Sequence, residues 1–490
     1  MKDIRAIHQF SRKVGLGFRP EETIPSDPYQ WIDQQLKEPR RYVGIASLKA
    51  PDQIEQWPDK FSFDIYERFN LAWNHRAKEI ELNERKDLNA DQISEAFWKF
   101  GQETLPNWHD ETRLYHRGIY ASDQIRQRFL HFWANHFFVS GETRSNALLG
   151  DHIERAIEGS LDGTFNELVL NAAVSPAMLK YLDNTENIGE NSKKAKWERE
   201  KNNFVGLNDN LAREILELHT VSPSMGYTED DIRSVAKVLS GWGLHTGSHN
   251  WRGKGIKDFH KPFIPEHAQR GVVEVFSLKL GSQFGTTEKG LKPLLTYLAN
   301  HEESIHHLSK KLCVHFISDD PPVRSIERVE QVWRETNGNL PEVHRQVLIE
   351  TWESLGNETK FLWPFTWALQ AIRQTGASIV DGWNDVNKAN YGFISAADRI
   401  SRELSQGFYT ERRQPNGFSL LGQDWISPAH FERRLKFSLL IGRHGKPTVN
   451  PDEFIARFEL GNETKRLAAK FHSLEKKWVA VLCDQQLLEV

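Results

Sequence analysis

The sequence predicts a mainly α-helical protein: a multi-helix globular architecture with one loop-rich segment and, inside that segment, a short β-hairpin. Three observations carry this. Apolar residues recur at helical spacing in QIRQRFLHFWANHFF, LAREILELH, DIRSVAKVLSGW, SIHHLSKKLCVHFI and FLWPFTWALQAIRQ, so each segment has an apolar face to bury. Helix starts stand beside them: Thr228 and Asp231 have capping-box spacing ahead of IRSVAKVL, and Ser427-Pro428 sets a cap and a first-turn proline ahead of AHFERRL. Alternation suited to a strand pair is found in VVEVFSLKLG.

Taken along the chain, residues 1–240 read as a helical core carrying a polar cluster. Within it, residues 186–206 are polar and charge-dense, the composition of a mobile surface loop. Residues 241–290 are rich in glycine, histidine and aromatics and form the loop-rich segment that holds the hairpin; its length suits a binding or lid element. Residues 291–490 read as a C-terminal helical region packed on the core, interrupted by TERRQPNGFSLLGQDW. No repeat of solenoid period is present.

Composition narrows the function classes. With 490 residues, 39% hydrophobic and 27% charged, the chain can bury a large core. Cys313 and Cys483 are too few for a disulfide framework and fit a reducing compartment. No signal-peptide pattern and no apolar run of membrane-spanning length occurs, so the expected location is cytoplasmic and the expected state soluble. A net charge of -4 and a pI near 6.6 provide no basic field for nucleic acid; the runs SKKAK and ERRQP read as short solvated loops. Among the sixteen tryptophans, Trp98, Trp133, Trp363 and Trp367 lie in helical apolar patterns, where core filling is the expected role.

Phosphate-binding, dinucleotide, nucleophile-elbow and EF-hand motifs are missing. HEESIH looks like a zinc-protease signature, but His301 and His306 stand five apart, separated by roughly 140° on a helix. His131 and His136 meet the same objection. The helix LAREILELHT is different: Glu214 and Glu217 share a face, Arg213 lies four before Glu217, and His219 projects about 200° from Glu217. Two buried carboxylates side by side need a cation, a metal or a shared proton. The bland alternative has Arg213 bridging Glu217, with His219 satisfying a carbonyl near the helix end.

NDNLAREILELHTVSPSMGYTEDDIRSVAKVLSGW closely resembles the signature of a large bacterial family catalogued as domain of unknown function 1800. GLGFRPEE with WIDQQL, FWANHFFVS, SPAMLKYLDN, KKLCVHFISDDPP, and NGF followed by WISPAHFERRL resemble its other segments in order. The family's polar positions fall here on Asn135, His136, Asp183, Asn184, Asn208, Asn210, Arg213, Glu214, Glu217 and His219, with Trp242 closing the signature and His267 opening a further segment. This chain departs from the pattern at Ala268, at Gly271, which comes one place late, and at Phe418. Relatives are often exported and encoded beside a family similar to sulfatases, so the resemblance implies a protein partner of that kind.

The expectation is that FWANHF, YLDN and LAREILELH converge on one buried polar cluster, roofed by the loop-rich segment. Its leading reading is a hydrolase on a polar or carbohydrate-like substrate. Glu214, Glu217, His219, His136 and Asp183 would be catalytic, and Asn135, Asn184, Asn208, Asn210, Arg213, Trp242 and His267 would bind substrate, with a divalent metal as candidate cofactor. The competing reading is a non-catalytic partner or assembly protein in which the cluster is structural.

Overall fold

The computed structural model describes residues 4–37, 64–104, 106–141, 146–244, 258–281, 288–377, 404–409 and 414–490. Helices make up 64% of the molecule, and one short antiparallel strand pair accompanies them among the described residues, so the mainly α class is what the chain adopts. At its centre lies the helix Gln124–His136, all of whose residues are buried. Enclosing a helix this rich in aromatics and arginine is costly, and partners for its polar atoms reduce that cost. Trp133 Nε1 donates to His344 Nε2 at 2.9 Å, and Phe129 stacks on the same imidazole at 3.7 Å. His131 packs between Phe365 and Phe408 at 4.9 and 5.7 Å, while Arg128 donates to the Thr366 hydroxyl.

Around this axis the helical segments form as their caps direct. Thr228 and Asp231 make a full capping box at the start of Glu229–Leu239. Ser427 accepts from His430 N, with Pro428 in the first turn of Pro428–His444. Helices Glu302–Phe316, Val323–Thr336 and Leu340–Glu353 follow one another closely, the last two joined through Asn337 and Gly338 at φ 52° and 70°. Any Cβ at Gly338 would come within 2.9 Å of Trp333 Nε1, so a tight turn against a buried ring requires glycine. Trp133, Trp363 and Trp367 are all at most 3% exposed and fill the core; the Trp98 side chain lies outside the described residues.

The hairpin pairs Val273–Val275 with Leu278–Leu280, Val273 opposite Leu280. Val273, Val275 and Leu280 point inward, and Glu274 pairs with Lys279 at 3.1 Å on the exposed face. The rest of the described loop-rich segment is fastened rather than free: Gly189 N donates to His267 O, Ile264 N to Gly241 O, and Gln269 N to Ser240 Oγ. These bonds tie it to residues near 189 and to the end of Glu229–Leu239; residues 245–257 and 282–287, the rest of the expected roof, lie outside the description.

One expectation needs correcting. Residues 186–206 contain the helix Lys193–Glu200, capped by Ser192, which accepts from Ala195 N. The run SKKAK is therefore its first turn rather than a solvated loop. Charge density misled here because Lys194 pairs with Glu198 at 2.5 Å along the helix, and Ser192 and Ala195 are buried.

Candidate functional site

The helix Asn210–Glu214 does not continue as an α-helix: Ile215–His219 is a π-turn. Thr220 Oγ1 donates to Ile215 O at 2.6 Å, and Ser222 N reaches Leu216 O at 2.8 Å. Widening the turn frees the last carbonyls, and imidazoles take them up. His136 Nε2 lies 3.2 Å from His219 O and donates to it, while His307 hydrogen-bonds the Leu218 carbonyl. Lys311 Nζ then donates to His136 Nδ1 at 2.9 Å. His136 and His307 act here as caps for a helix end, a task main-chain donors usually perform.

The electrostatics of this interior group follow from burial. Desolvation pushes the His136 imidazole well below its usual range and His219 down to about 3, with Lys311 adding to both. Lys311 itself falls to about 8 through desolvation, and no described carboxylate lies within ion-pair distance of it. Nearby, His152 donates from Nε2 to Phe137 O at 2.8 Å and meets Ser175 Oγ at 2.7 Å. The imidazoles are held neutral, and the ammonium is the group in this cluster that titrates near physiological pH.

The carboxylates face the other way. Glu217 is ion-paired to Arg213 at 3.5 Å, and Arg213 also holds Glu229 at 2.9 Å and Asp209 at 3.2 Å. Glu214 is half-buried and, among the described residues, has neither a hydrogen bond nor an ion pair. Burial and the neighbouring Glu217 charge raise it to about 7, against the pull of Arg213. Tyr227, whose buried hydroxyl has no partner among the described residues, completes this face; burial and the Glu217 charge push its phenol up to about 12.

The expected convergence is therefore only partial. FWANHF does meet the LAREILELH helix through His136, but no described imidazole lies within ion-pair distance of Glu214 or Glu217. Asp183 is exposed at φ 53° and does not join the cluster. Asn135 is bound by Phe418, accepting from its N at 2.6 Å and donating to its O at 2.9 Å. Asn184 donates to Leu239 O at 3.2 Å and Trp242 O at 2.6 Å, and accepts from Asn187. Asn208 makes a local turn to Asn210 N; Asn210 is exposed, Trp242 is buried against Phe263, and the His267 carbonyl holds Gly189 N. For Asn135, Asn184 and Asn208, side-chain bonds to the main chain explain the residue type.

Among the described residues, no group of three His, Cys, Asp or Glu side chains is placed to hold a metal ion. Sequence reasoning missed Lys311, His307, His152 and Tyr227. The i,i+4 spacing of His307 and Lys311 inside SIHHLSKKLCVHFI was available as a signal, but the apolar stripe of that helix drew the reading instead.

A family model described as "Protein of unknown function (DUF1800)" matches residues 9–487. The chain belongs to that family. No curated protein and no solved structure matches it. No helix among the described residues is long and apolar enough to cross a membrane.

Proposed function

We propose that this DUF1800 protein is a hydrolase acting on a polar, carbohydrate-like substrate at the Arg213–Glu214–Glu217–Tyr227 face. One observation carries the reading: two neighbouring carboxyl groups have been given different environments. Glu214 is half-buried, unpartnered and raised to about 7, so it holds a proton near neutral pH, whereas Glu217 is paired with Arg213. Such a pair supplies an acid for a leaving group and a base for water. Tyr227 brings an unsatisfied hydroxyl and Arg213 a cation beside the same face, both suited to orienting polar groups. The interior imidazoles lie behind this face and hold the helix end in place.

A second reading is favoured by the satisfied asparagines and the capping imidazoles: a non-catalytic partner or assembly protein, with a sulfatase-like protein as the proposed partner. A panel of glycoside and ester substrates separates the two. Under the hydrolase reading the native chain turns over a member of the panel, Glu214→Gln loses about a hundredfold or more in kcat, and its melting temperature does not fall. Absence of turnover across the panel, or full activity in Glu214→Gln, sinks it.

A further inference from the structure

The first helix, Ile4–Val14, meets the chain's last residues around a cleft of about 130 Å³. Arg5, His8 and Arg12 line it from one face of that helix, and Arg457, Glu459 and Glu489 from the C-terminal region. Arg12 is only 5% exposed. Its Nη1 donates to Gln486 O at 2.7 Å, but among the described residues Nε and Nη2 have no hydrogen-bond partner. Those two atoms form one edge of the planar guanidinium, the edge whose parallel N–H groups grip two oxygens of a carboxylate or phosphate. His8, also 5% exposed, leaves Nδ1 unpartnered, its ring held against Phe18 and Phe458 at 5.9 and 5.2 Å.

The nearby acids do not supply the missing partner. Glu489 accepts from the Thr359 hydroxyl at 2.8 Å and from Gln485 Nε2 at 3.2 Å. Asp484, which acts on Arg12 through space, accepts from the Thr464 hydroxyl and from Gln486 N. Arg457 gives one amino group to Arg19 O at 2.9 Å and adds a second cation to the wall. A buried cation whose bidentate edge is unused is costly to hold, and an arriving anion relieves that cost. Desolvation accordingly draws Arg12 down to about 9.

We propose that this cleft binds a small oxyanion, phosphate-type or carboxylate, gripped side-on by Arg12 Nε and Nη2 with Arg457 as the second cation. At about 130 Å³ the space is smaller than the roughly 300 Å³ where pockets for drug-sized ligands begin. It therefore suits a free small anion or the terminal group of a larger molecule. The proposal uses no residue of the Glu214 face and stands apart from the hydrolase reading.

The test is calorimetric and thermal titration of the full chain with inorganic phosphate and with acetate, against chloride at matched ionic strength. Saturable binding of either anion is expected, and the preferred one identifies the ligand as phosphoryl or carboxylate. Arg12→Lys keeps a charge but loses the fork and should weaken binding about tenfold. Because Arg12 is buried, Gln9→Glu provides a second variant: from the half-buried rim of the cleft it puts a carboxylate where the ligand would sit, and the same weakening is expected. No stabilisation beyond chloride by either anion, or native affinity in Gln9→Glu, overturns the proposal.

Discussion

At the scale of single residues, Glu214 shows how environment separates two identical side chains. Its ordinary value of 4.5 rises to about 7 in the folded chain, because burial and Glu217 both disfavour a second negative charge. Between those two values the folded state keeps a proton that the unfolded state has released, so this residue makes stability fall as pH rises through the window. Discounted for solvent screening at a half-exposed site, the effect is about 1–2 kcal/mol. Urea unfolding of Glu214→Gln should show a variant more stable than the native chain above pH 7, with the difference vanishing near pH 4.5. Equal stability at every pH would show that the carboxyl is not raised. Arg213, Glu214 and Glu217 were legible in LAREILELHT, but neither Tyr227 nor the lack of a partner for Glu214 among the described residues was, since a helical wheel shows what shares a face and not what lies opposite it.

At the scale of elements, the molecule relies on ionic pairs that no local pattern announces. Helices Ile65–Glu84 and Pro106–Tyr120 are tied by Arg68, whose guanidinium meets both Asp110 oxygens at 2.6 and 2.9 Å and also donates to Ala147 O. Asp110 is shared with Arg113, which goes on to Glu154 at 2.5 Å. Removing one member leaves a buried charge unpaired, so Asp110→Ala should cost about 3–5 kcal/mol, read as a lowered urea midpoint. A loss under 1 kcal/mol would mean that water reaches the arginines. Caps were the legible part of this scale, since Thr228 and Ser427 act within three residues of themselves. The π-turn at Ile215–His219 was not, because its freed carbonyls depend on His136 and His307 from other helices.

At the scale of the whole molecule, the interior is unusually rich in imidazole. His116, His131, His136, His152, His219, His315 and His344 are all buried, and desolvation is the first cause that lowers each of them. Below their ordinary value of 6.5 the unfolded chain takes up protons that the folded chain refuses, so this stability is present above that value and lost as pH falls. Each contributes up to about 1.4 kcal/mol per pH unit. The melting temperature should therefore drop steeply between about pH 6.5 and pH 4.5 in differential scanning calorimetry, well before carboxylates titrate in bulk. A flat profile across that range would show that the imidazoles are hydrated.

The amino-acid sequence by itself determined the helical class, the caps, the hairpin and the apolar faces, because each depends on side chains a few residues apart acting on their own backbone. Only the tertiary structure decided which polar residues are spent on architecture: Asn135 binds Phe418, 283 residues away, and Asn184 binds Trp242, 58 away. It also set His136 away from the carboxylates of LAREILELHT and left Glu214 without a partner among the described residues. The physical reason is that a polar side chain's role depends on whether its hydrogen bonds are met, and in a folded interior most of those partners come from distant segments.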